Sequence, residues 1–239
     1  MKMITLKMGI VMCLFLTQSC EKKELSFKSG DISIEINTGG HWLHDYPLLL
    51  GLTKKNPPQF AIWLEDTSGN YISTVFATYK IATEGWINNN GNRRKEALPY
   101  WCHKRGIVYE DGLFLPTKDS PLVDGITGAT PKENKTIKIT PADLKKPFVI
   151  KAEFNHSVDF NSYFPKDARK GDDNYSGGRQ GSGQPAVIYS ATIFPQTTMA
   201  VLKLIGHSSP DGSNGNLYTD LKELTTAKTI VGSIVVTVK

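Results

Sequence analysis

The chain has 239 residues, 39% of them hydrophobic, and carries a formal net charge of +5. Residues 1–19 form a leader that contains two lysines and no acid, so about 220 residues with a charge of about +3 remain without it. That length suffices for one large domain or two small ones. The mild charge and the lack of a basic stripe give no ground for a nucleic-acid partner.

The first predicted element, residues 1–19, is a secretory signal peptide. A basic start precedes an apolar core, Met8 to Leu16, that is too short to span a bilayer. The segment ends in LTQSC, which resembles the lipobox of bacterial lipoproteins. The resemblance implies that Cys20 is lipidated, that residues 20–30 form a tether, and that the protein lies in the cell envelope, facing the periplasm or the outer membrane. The alternative is an ordinary cleavable signal that ends near a cysteine.

Cysteine content argues against disulfides. Cys13 leaves with the signal peptide and Cys20 would carry lipid, so Cys102 has no partner within the chain. Its neighbours Tyr100 and Trp101 favour a packed thiol over a nucleophile.

From residue 31 onward the sequence predicts mostly strands. DISIEIN alternates Ile32, Ile34 and Ile36 with polar residues, the pattern of a strand with one buried face. Further predicted strands are QFAIWLED (59–66), NYISTVFATYK (70–80), KTIKIT (135–140), PFVIKAEFNHSVDF (147–160), PAVIYSATIF (185–194), TMAVLKLIG (198–206) and TIVGSIVVTVK (229–239). We expect QFAIWLED and NYISTVFATYK to form a hairpin. In NYISTVFATYK we expect one shared face for Tyr71, Val75, Ala77 and Tyr79.

Helical periodicity is scarce, and the two best candidates are PADLKK (141–146) and TDLKELTTAK (219–228). The pattern therefore predicts a mainly β fold, an antiparallel immunoglobulin-like β-sandwich with long loops and one or two short helices. No linker divides residues 31–239, which we expect to form a single domain. Three excursions are predicted as long surface loops: 84–105, 110–135 and 165–184.

The stretch VDGITGAT, residues 123–130, carries the main functional hypothesis. Gly125 and Gly128 permit tight backbone conformations, Asp124 can bond nearby N–H groups, and Pro131 fixes the exit. An ordinary turn needs the same residues, so composition leaves both interpretations open.

Its spacing, D-x-x-T-G-A-T, resembles the flavinylation motif of extracytoplasmic FMN-binding proteins. The resemblance implies that a flavin transferase attaches FMN covalently to the last threonine, Thr130. By position, Asp124 is the fixed upstream acid, and Thr127, Gly128 and Ala129 form the narrow stretch that fits the transferase. The small side chains allow a hydroxyl to approach a pyrophosphate closely.

A second resemblance covers most of the chain from about Pro58 onward. It is to an uncharacterised family of predicted periplasmic proteins, found in settings with flavin transferases and PepSY-type membrane redox proteins. The matching pieces are PQFAIWLED, LVDGITGATP, FVIKAEFNH, PAVIYSATI and LKLIGHSSPDGSNGNLYTDLKELTTAKTIVGSIVVTV. The resemblance implies a role near extracytoplasmic electron transfer, as a flavin carrier or as an accessory to one, rather than as an enzyme with its own substrate. It also leaves open that T-G-A-T serves a structural purpose.

Other polar residues support weaker hypotheses. Glu153, His156 and His207 are candidates for a metal site if the fold brings them together. We expect His41 and His44 to be exposed loop histidines. Arg93 and Arg94 are predicted as solvated loop charges, and DGSNGN from Asp211 as a turn, because it lacks the glutamate of a calcium loop. No residue is predicted to be catalytic.

An alternative function belongs to a different class. The protein is then a non-catalytic structural or binding lipoprotein whose sandwich presents loops to a protein or a glycan. The residues expected to make those contacts are Trp86, Trp101, Tyr175 and Arg179.

Overall fold

A computed structural model describes residues 31–86, 93–140 and 145–239. The predicted signal peptide, Cys20 and the tether therefore lie outside the described residues, as does most of the predicted helix 141–146. The strands are β1 (Ile32–Thr38), β2 (His44–Pro47), β3 (Thr53–Asn56), β4 (Gln59–Glu65), β5 (Tyr71–Thr78), β6 (Ile126–Gly128), β7 (Lys135–Ile139), β8 (Phe148–Asn155), β9 (Val187–Ile193), β10 (Met199–Val201), β11 (Lys203–His207) and β12 (Val231–Val238). The helices are α1 (Tyr79–Ala82) and α2 (Pro99–Arg105), with short 3-10 turns at Leu49–Gly51, Gly178–Gln180 and Thr226–Thr229.

Two sheets pack face to face. One has the order β10-β12-β1-β7 and the other the order β11-β9-β8-β4-β5-β6, while β2 and β3 form a separate hairpin. All pairings are antiparallel except that of β5 with β6. The predicted mainly β fold, a β-sandwich with long loops and two short helices, is confirmed. No helix in the described segments has the length and apolar character needed to cross a membrane.

The space between the sheets holds the larger of two hydrophobic clusters. Ile32, Ile34 and Ile36 of β1 are wholly buried there, as their alternation predicts. They meet the even-numbered residues of β4 and β8, which include Phe60 and Phe154. Burial of this continuous apolar layer is the main stabilising contribution, at about 25 cal/mol per Å² of apolar surface.

The six-stranded sheet is covered on its other face as well. Ala61 and Trp63 of β4 pack there against Leu98 and Trp101, and every residue of β4 is buried. This cover comes from residues 96–102, Leu115 and Leu122, which lie within the predicted surface loops 84–105 and 110–135. The expectation of surface loops is therefore wrong for these residues. Strand β4 has apolar side chains on both of its faces, so each face has to be packed against another layer of the protein.

Three local predictions are wrong. The register of β4 against β5 shifts between Ile62 and Trp63, and this bulge puts Val75 in the inter-sheet cluster but Ala77 in the outer one. They therefore do not share a face. The expected strand 198–206 breaks at Leu202 into β10 and β11, which lie in different sheets.

The predicted helix 219–228 is also absent, since that segment has only a turn and the 3-10 turn at Thr226–Thr229. The side chain of Gln184 accepts a hydrogen bond of 2.6 Å from the backbone N–H of Thr225. The hydroxyl of Thr226 donates to Asp159 over 2.6 Å. These tertiary contacts outweigh a weak local preference for helix.

Candidate functional site

The motif segment forms the edge of the six-stranded sheet. Strand β6 runs parallel to β5, with Ile126 opposite Phe76 and Gly128 opposite Thr78. Two glycines permit this close approach. A Cβ on Gly125 would lie 2.7 Å from Cγ2 of Thr74, and one on Gly128 would lie 3.2 Å from the ring of Phe76.

Asp124 anchors the start of the segment. Its carboxylate accepts a hydrogen bond of 2.5 Å from the hydroxyl of Tyr71, and its other oxygen lies 3.6 Å from the guanidinium of Arg105. Burial raises the pKa of Tyr71, and the charge of Asp124 raises it further, so the phenol stays protonated and remains a donor. The guanidinium of Arg105 is stacked 5.1 Å from the ring centre of Trp101. The predicted upstream acid is thus fixed to the layer that covers the sheet.

Pro131 anchors the end. Its carbonyl oxygen accepts a hydrogen bond of 3.1 Å from the indole N–H of Trp42, a side chain that is buried against Phe60 and Phe154. Between the two anchors, Thr127 and Ala129 are exposed. The segment is therefore a held strand with small, accessible side chains, not a free loop.

Thr130 lies two residues beyond the end of β6 and is partly buried. Its Oγ1 is 3.1 Å from Nε2 of Gln59, and Oε1 of Gln59 accepts a hydrogen bond of 2.8 Å from the hydroxyl of Thr78. The Thr78 oxygen in turn accepts one from the backbone N–H of Phe60. This chain of bonds orients the buried Gln59 amide so that its N–H groups face Thr130. Thr130 accepts a hydrogen bond from Nε2 of Gln59, and its own hydroxyl lies 3.5 Å from Oε1 of the same amide, to which it donates.

A cavity of about 480 Å³ opens beside Thr130. The residues that line it are His44, Tyr46, Lys54, Lys55, Asn56, Pro57, Gln59, Tyr79, Lys80, Trp86, Ala129, Thr130, Lys132, Asn155, His156 and Ser157. Four of these are lysines, three are Tyr or Trp, and none of the described lining residues is acidic. The volume and the mixture of aromatic and polar groups are typical of a small-molecule site.

Lysine charges are concentrated at this cavity. Lys55 forms a 2.9 Å ion pair with Asp45, which lies outside the lining. Desolvation lowers the pKa of Lys80, and the positive charges of Lys54 and Arg94 lower it further. Desolvation is the larger cause, and the smaller contributions of Lys54 and Arg94 reflect repulsion between cations, which a bound anion would reduce.

Trp86 forms part of the wall and is held by Arg94. The guanidinium of Arg94 lies 4.8 Å from the ring centre of Trp86, and its Nε is 3.1 Å from the carboxylate of Glu96. Arg94 is buried, and Arg93 is paired with Glu84 and Asp111, so the prediction that they are solvated loop charges is wrong. The indole Nε1 of Trp86 is buried and has no hydrogen-bond acceptor among the described residues.

The three metal candidates occupy separate environments. Glu153 accepts hydrogen bonds from the backbone N–H groups of Tyr100 and Trp101 at the start of α2, over 3.2 and 2.7 Å. Burial raises its pKa to about 8, although both bonds favour the ionised form. His207 is stacked on Tyr218 at 5.4 Å. Within the described ranges, no group of three His, Cys, Asp or Glu residues could hold a metal ion.

His156, the third candidate, is buried at the cavity. Its Nε2 lies 2.9 Å from the carbonyl oxygen of His41, so it donates, and burial lowers the pKa to about 3. The ring is 5.2 Å from that of His44, whose Nδ1 is 3.8 Å from Asp159. His44 belongs to β2 and is only partly exposed, so the expectation of an exposed loop histidine holds for His41 alone.

The contact residues of the alternative function are distributed unevenly. Trp101 is wholly buried and Trp86 lines the cavity, so neither stands on an exposed loop as expected. Arg179 is exposed and Tyr175 is partly exposed. Cys102 is a buried free thiol whose pKa is raised by burial, which confirms the packing role.

Sequence reasoning missed the residues that build the cavity around Thr130. The hairpin β2–β3 supplies Lys54, helix α1 supplies Lys80, and Gln59 begins β4. The one feature of the sequence that indicated these residues was Gln59, a polar residue at the start of β4, directly before the apolar run from Phe60 to Leu64. Comparison of the chain with known protein families, with curated proteins and with solved structures gives no match in any of the three.

Proposed function

We propose that this chain is an envelope lipoprotein that carries FMN covalently on Thr130 and takes part in extracytoplasmic electron transfer. The observation that supports it most is the position of the Thr130 hydroxyl. Thr130 is oriented by Gln59, it lines a cavity that also contains lysines and aromatic rings, and it follows a strand whose Thr127 is exposed.

The residues fit the group on three counts. Thr130 lines the cavity and is partly exposed. Lysines at the cavity suit a phosphate, because ammonium groups form strong charge-assisted hydrogen bonds with phosphate oxygens. The buried Nε1 of Trp86 lacks an acceptor, and the flavin ring system has carbonyl oxygens that could provide one.

Attachment is a phosphoryl transfer without a redox change. The Oγ1 of Thr130 bonds to the phosphorus of the FMN half of a flavin dinucleotide, the pyrophosphate P–O bond breaks, and the nucleoside monophosphate leaves. The hydroxyl proton passes to a base on the flavin transferase. In this chain Gln59 holds the oxygen in place, and Gly128 and Ala129 present no bulk against the transferase.

The covalently held flavin would supply one- or two-electron redox chemistry, and the chain would supply binding and orientation. Lipidation of Cys20 would hold the domain at a membrane surface, close to a membrane redox protein of the PepSY type. The protein then relays electrons and needs no substrate of its own.

Co-expression with a flavin transferase tests the proposal. The exported chain is purified, denatured and measured by intact mass and by in-gel flavin fluorescence. We expect a mass increase of one FMN less one water, and its loss in Thr130→Ala. Thr136→Ala, an exposed threonine on β7, is the matched control and should keep the adduct. A wild-type chain without adduct, beside a known acceptor that is labelled in the same cells, would contradict the proposal.

A further inference from the structure

The cavity beside Thr130 has features that a covalent acceptor alone does not require. A transferase needs a hydroxyl on a narrow segment, and β6 with the residues that follow it, held by two anchors, already provides that. Most of the lysines, the aromatic wall and the buried indole N–H come from residues 46–86, well before that strand in the chain, and they form a concave surface that Ala129 and Thr130 border.

We infer that this cavity is a preformed non-covalent site for an aromatic anion of the flavin mononucleotide class, with Lys54 and Lys80 as the phosphate-side residues and Trp86 as the ring-side residue. The inference rests on the proposed function for the identity of the ligand. It adds that recognition by the cavity is independent of the bond to Thr130.

The charge distribution supports the anionic half of the ligand. Four lysines and no acid are found among the described lining residues, and Lys55 is the one with an ion-pair partner, Asp45, outside the lining. Lys54 and Arg94 act on Lys80 in the direction that disfavours its charged form, and Lys80 is also partly desolvated. A bound phosphate would reduce this repulsion. An anion should therefore be stabilised more strongly in this cavity than beside isolated surface lysines.

The aromatic half is supported by the way Trp86 is held. Arg94 contacts its ring and also bonds Glu96 and the hydroxyl of Ser157, another lining residue. The ring is thus fixed before any ligand arrives, which lowers the entropic cost of binding. Its buried N–H has no acceptor among the described residues, and a buried donor without a partner costs free energy that a ligand carbonyl would recover.

The test separates recognition from attachment. The exported chain with Thr130→Ala, purified without a flavin transferase, is titrated with FMN, with riboflavin, with AMP and with inorganic phosphate, using flavin fluorescence and calorimetry. We expect FMN to bind about tenfold more tightly than riboflavin, since only FMN brings the charged phosphate. AMP and inorganic phosphate should bind more weakly than FMN.

Three variants in the Thr130→Ala background assign the two halves of the site. Lys54→Gln and Lys80→Gln should each weaken FMN binding severalfold and leave riboflavin binding unchanged. Trp86→Phe, which keeps a ring but removes the N–H, should weaken both flavins. Lys138→Gln, an exposed lysine on β7 outside the cavity, is the matched control and should change neither. Thermal unfolding of each variant verifies that the fold is kept.

The outcomes distinguish this inference from the proposed function. Absence of FMN binding, equal affinity for FMN and riboflavin, or equal affinity for FMN and phosphate would overturn the inference even if Thr130 is flavinylated by the transferase. Selective FMN binding without any adduct in the co-expression experiment would support the inference and overturn covalent attachment.

Discussion

The amide of Gln59 donates a hydrogen bond of 3.1 Å to the hydroxyl of Thr130, and its own oxygen is held by Thr78 at 2.8 Å. Gln59 is buried and lies 71 positions away from Thr130 in the sequence. A residue of the six-stranded sheet therefore sets the position of the proposed acceptor oxygen.

Replacement of Gln59 by Leu should slow flavin attachment without abolishing it. The hydroxyl remains on the chain, but it loses the donor that orients it. We expect about a tenfold lower labelling rate, the equivalent of one hydrogen bond of about 1.4 kcal/mol. A time course of adduct formation by intact mass measures this rate. An unchanged rate in a folded variant would show that Gln59 has only a structural role.

The anchor at Asp124 predicts that loss of its hydrogen bond to Tyr71 lowers the stability of the protein. Tyr71→Phe removes the hydroxyl that donates to Asp124 and contacts Thr74. We expect the free energy of unfolding to fall by about 1–3 kcal/mol, because a partly buried carboxylate loses a donor. Urea denaturation measures the loss. Tyr163→Phe, at an exposed tyrosine, should change stability by less than about 0.5 kcal/mol. Equal effects of the two substitutions would contradict the anchor.

Close packing of β6 on β5 predicts a steric effect at Gly125. An alanine there would place its Cβ 2.7 Å from Cγ2 and 2.9 Å from Cβ of Thr74. We expect Gly125→Ala to destabilise the protein by about 1–3 kcal/mol and to displace the motif strand. Gly40→Ala is the control, since no atom lies within 4 Å of the added Cβ. Similar unfolding midpoints for both variants would argue against the packing described.

Much of the sandwich follows from the sequence because strand periodicity is local. The alternation of Ile32, Ile34 and Ile36 predicts a one-sided strand, and β1 has that burial. The unbroken apolar run from Phe60 to Leu64 indicates burial on both faces, and the covering layer with Trp101 is its structural counterpart. That signal was present in the sequence, although the layer itself was predicted as loops.

The site was only partly predictable. The motif locates Thr130 and Asp124, because their chemistry depends on neighbours in sequence. The cavity depends on elements that meet only in the fold: Lys54 on a hairpin, Lys80 on α1 and Trp86 after it. Local sequence patterns likewise do not predict the bulge at Val75 or the tertiary hydrogen bond between Thr225 and Gln184. Such contacts are set by sheet topology, which sequence periodicity does not specify.

Burial of His156 predicts a pH dependence of stability. Its pKa is lowered to about 3 in the folded protein, against about 6.5 when unfolded. The unfolded chain therefore binds more protons in this range, and the contribution of His156 to stability falls as pH decreases from 6.5 towards 3.

His156→Gln, which keeps an N–H for the carbonyl of His41, lacks this titration. We expect the stability difference between wild type and variant to shrink by up to about 1.4 kcal/mol per pH unit below 6.5. Urea denaturation at pH 7, 6, 5 and 4 measures it. A difference that stays constant over this range would contradict the burial of a neutral histidine.

The central claim, covalent flavin on Thr130, is tested most directly by mapping the modified residue. The chain co-expressed with a flavin transferase is digested with protease, and the peptide that spans residues 119–132 is fragmented in a mass spectrometer. We expect Thr130 to carry the FMN phosphate, and we expect the Thr127→Ala variant to retain it there. An adduct on Thr127 or on another peptide, or an unmodified Thr130 in a chain that co-purifies with active transferase, would contradict it.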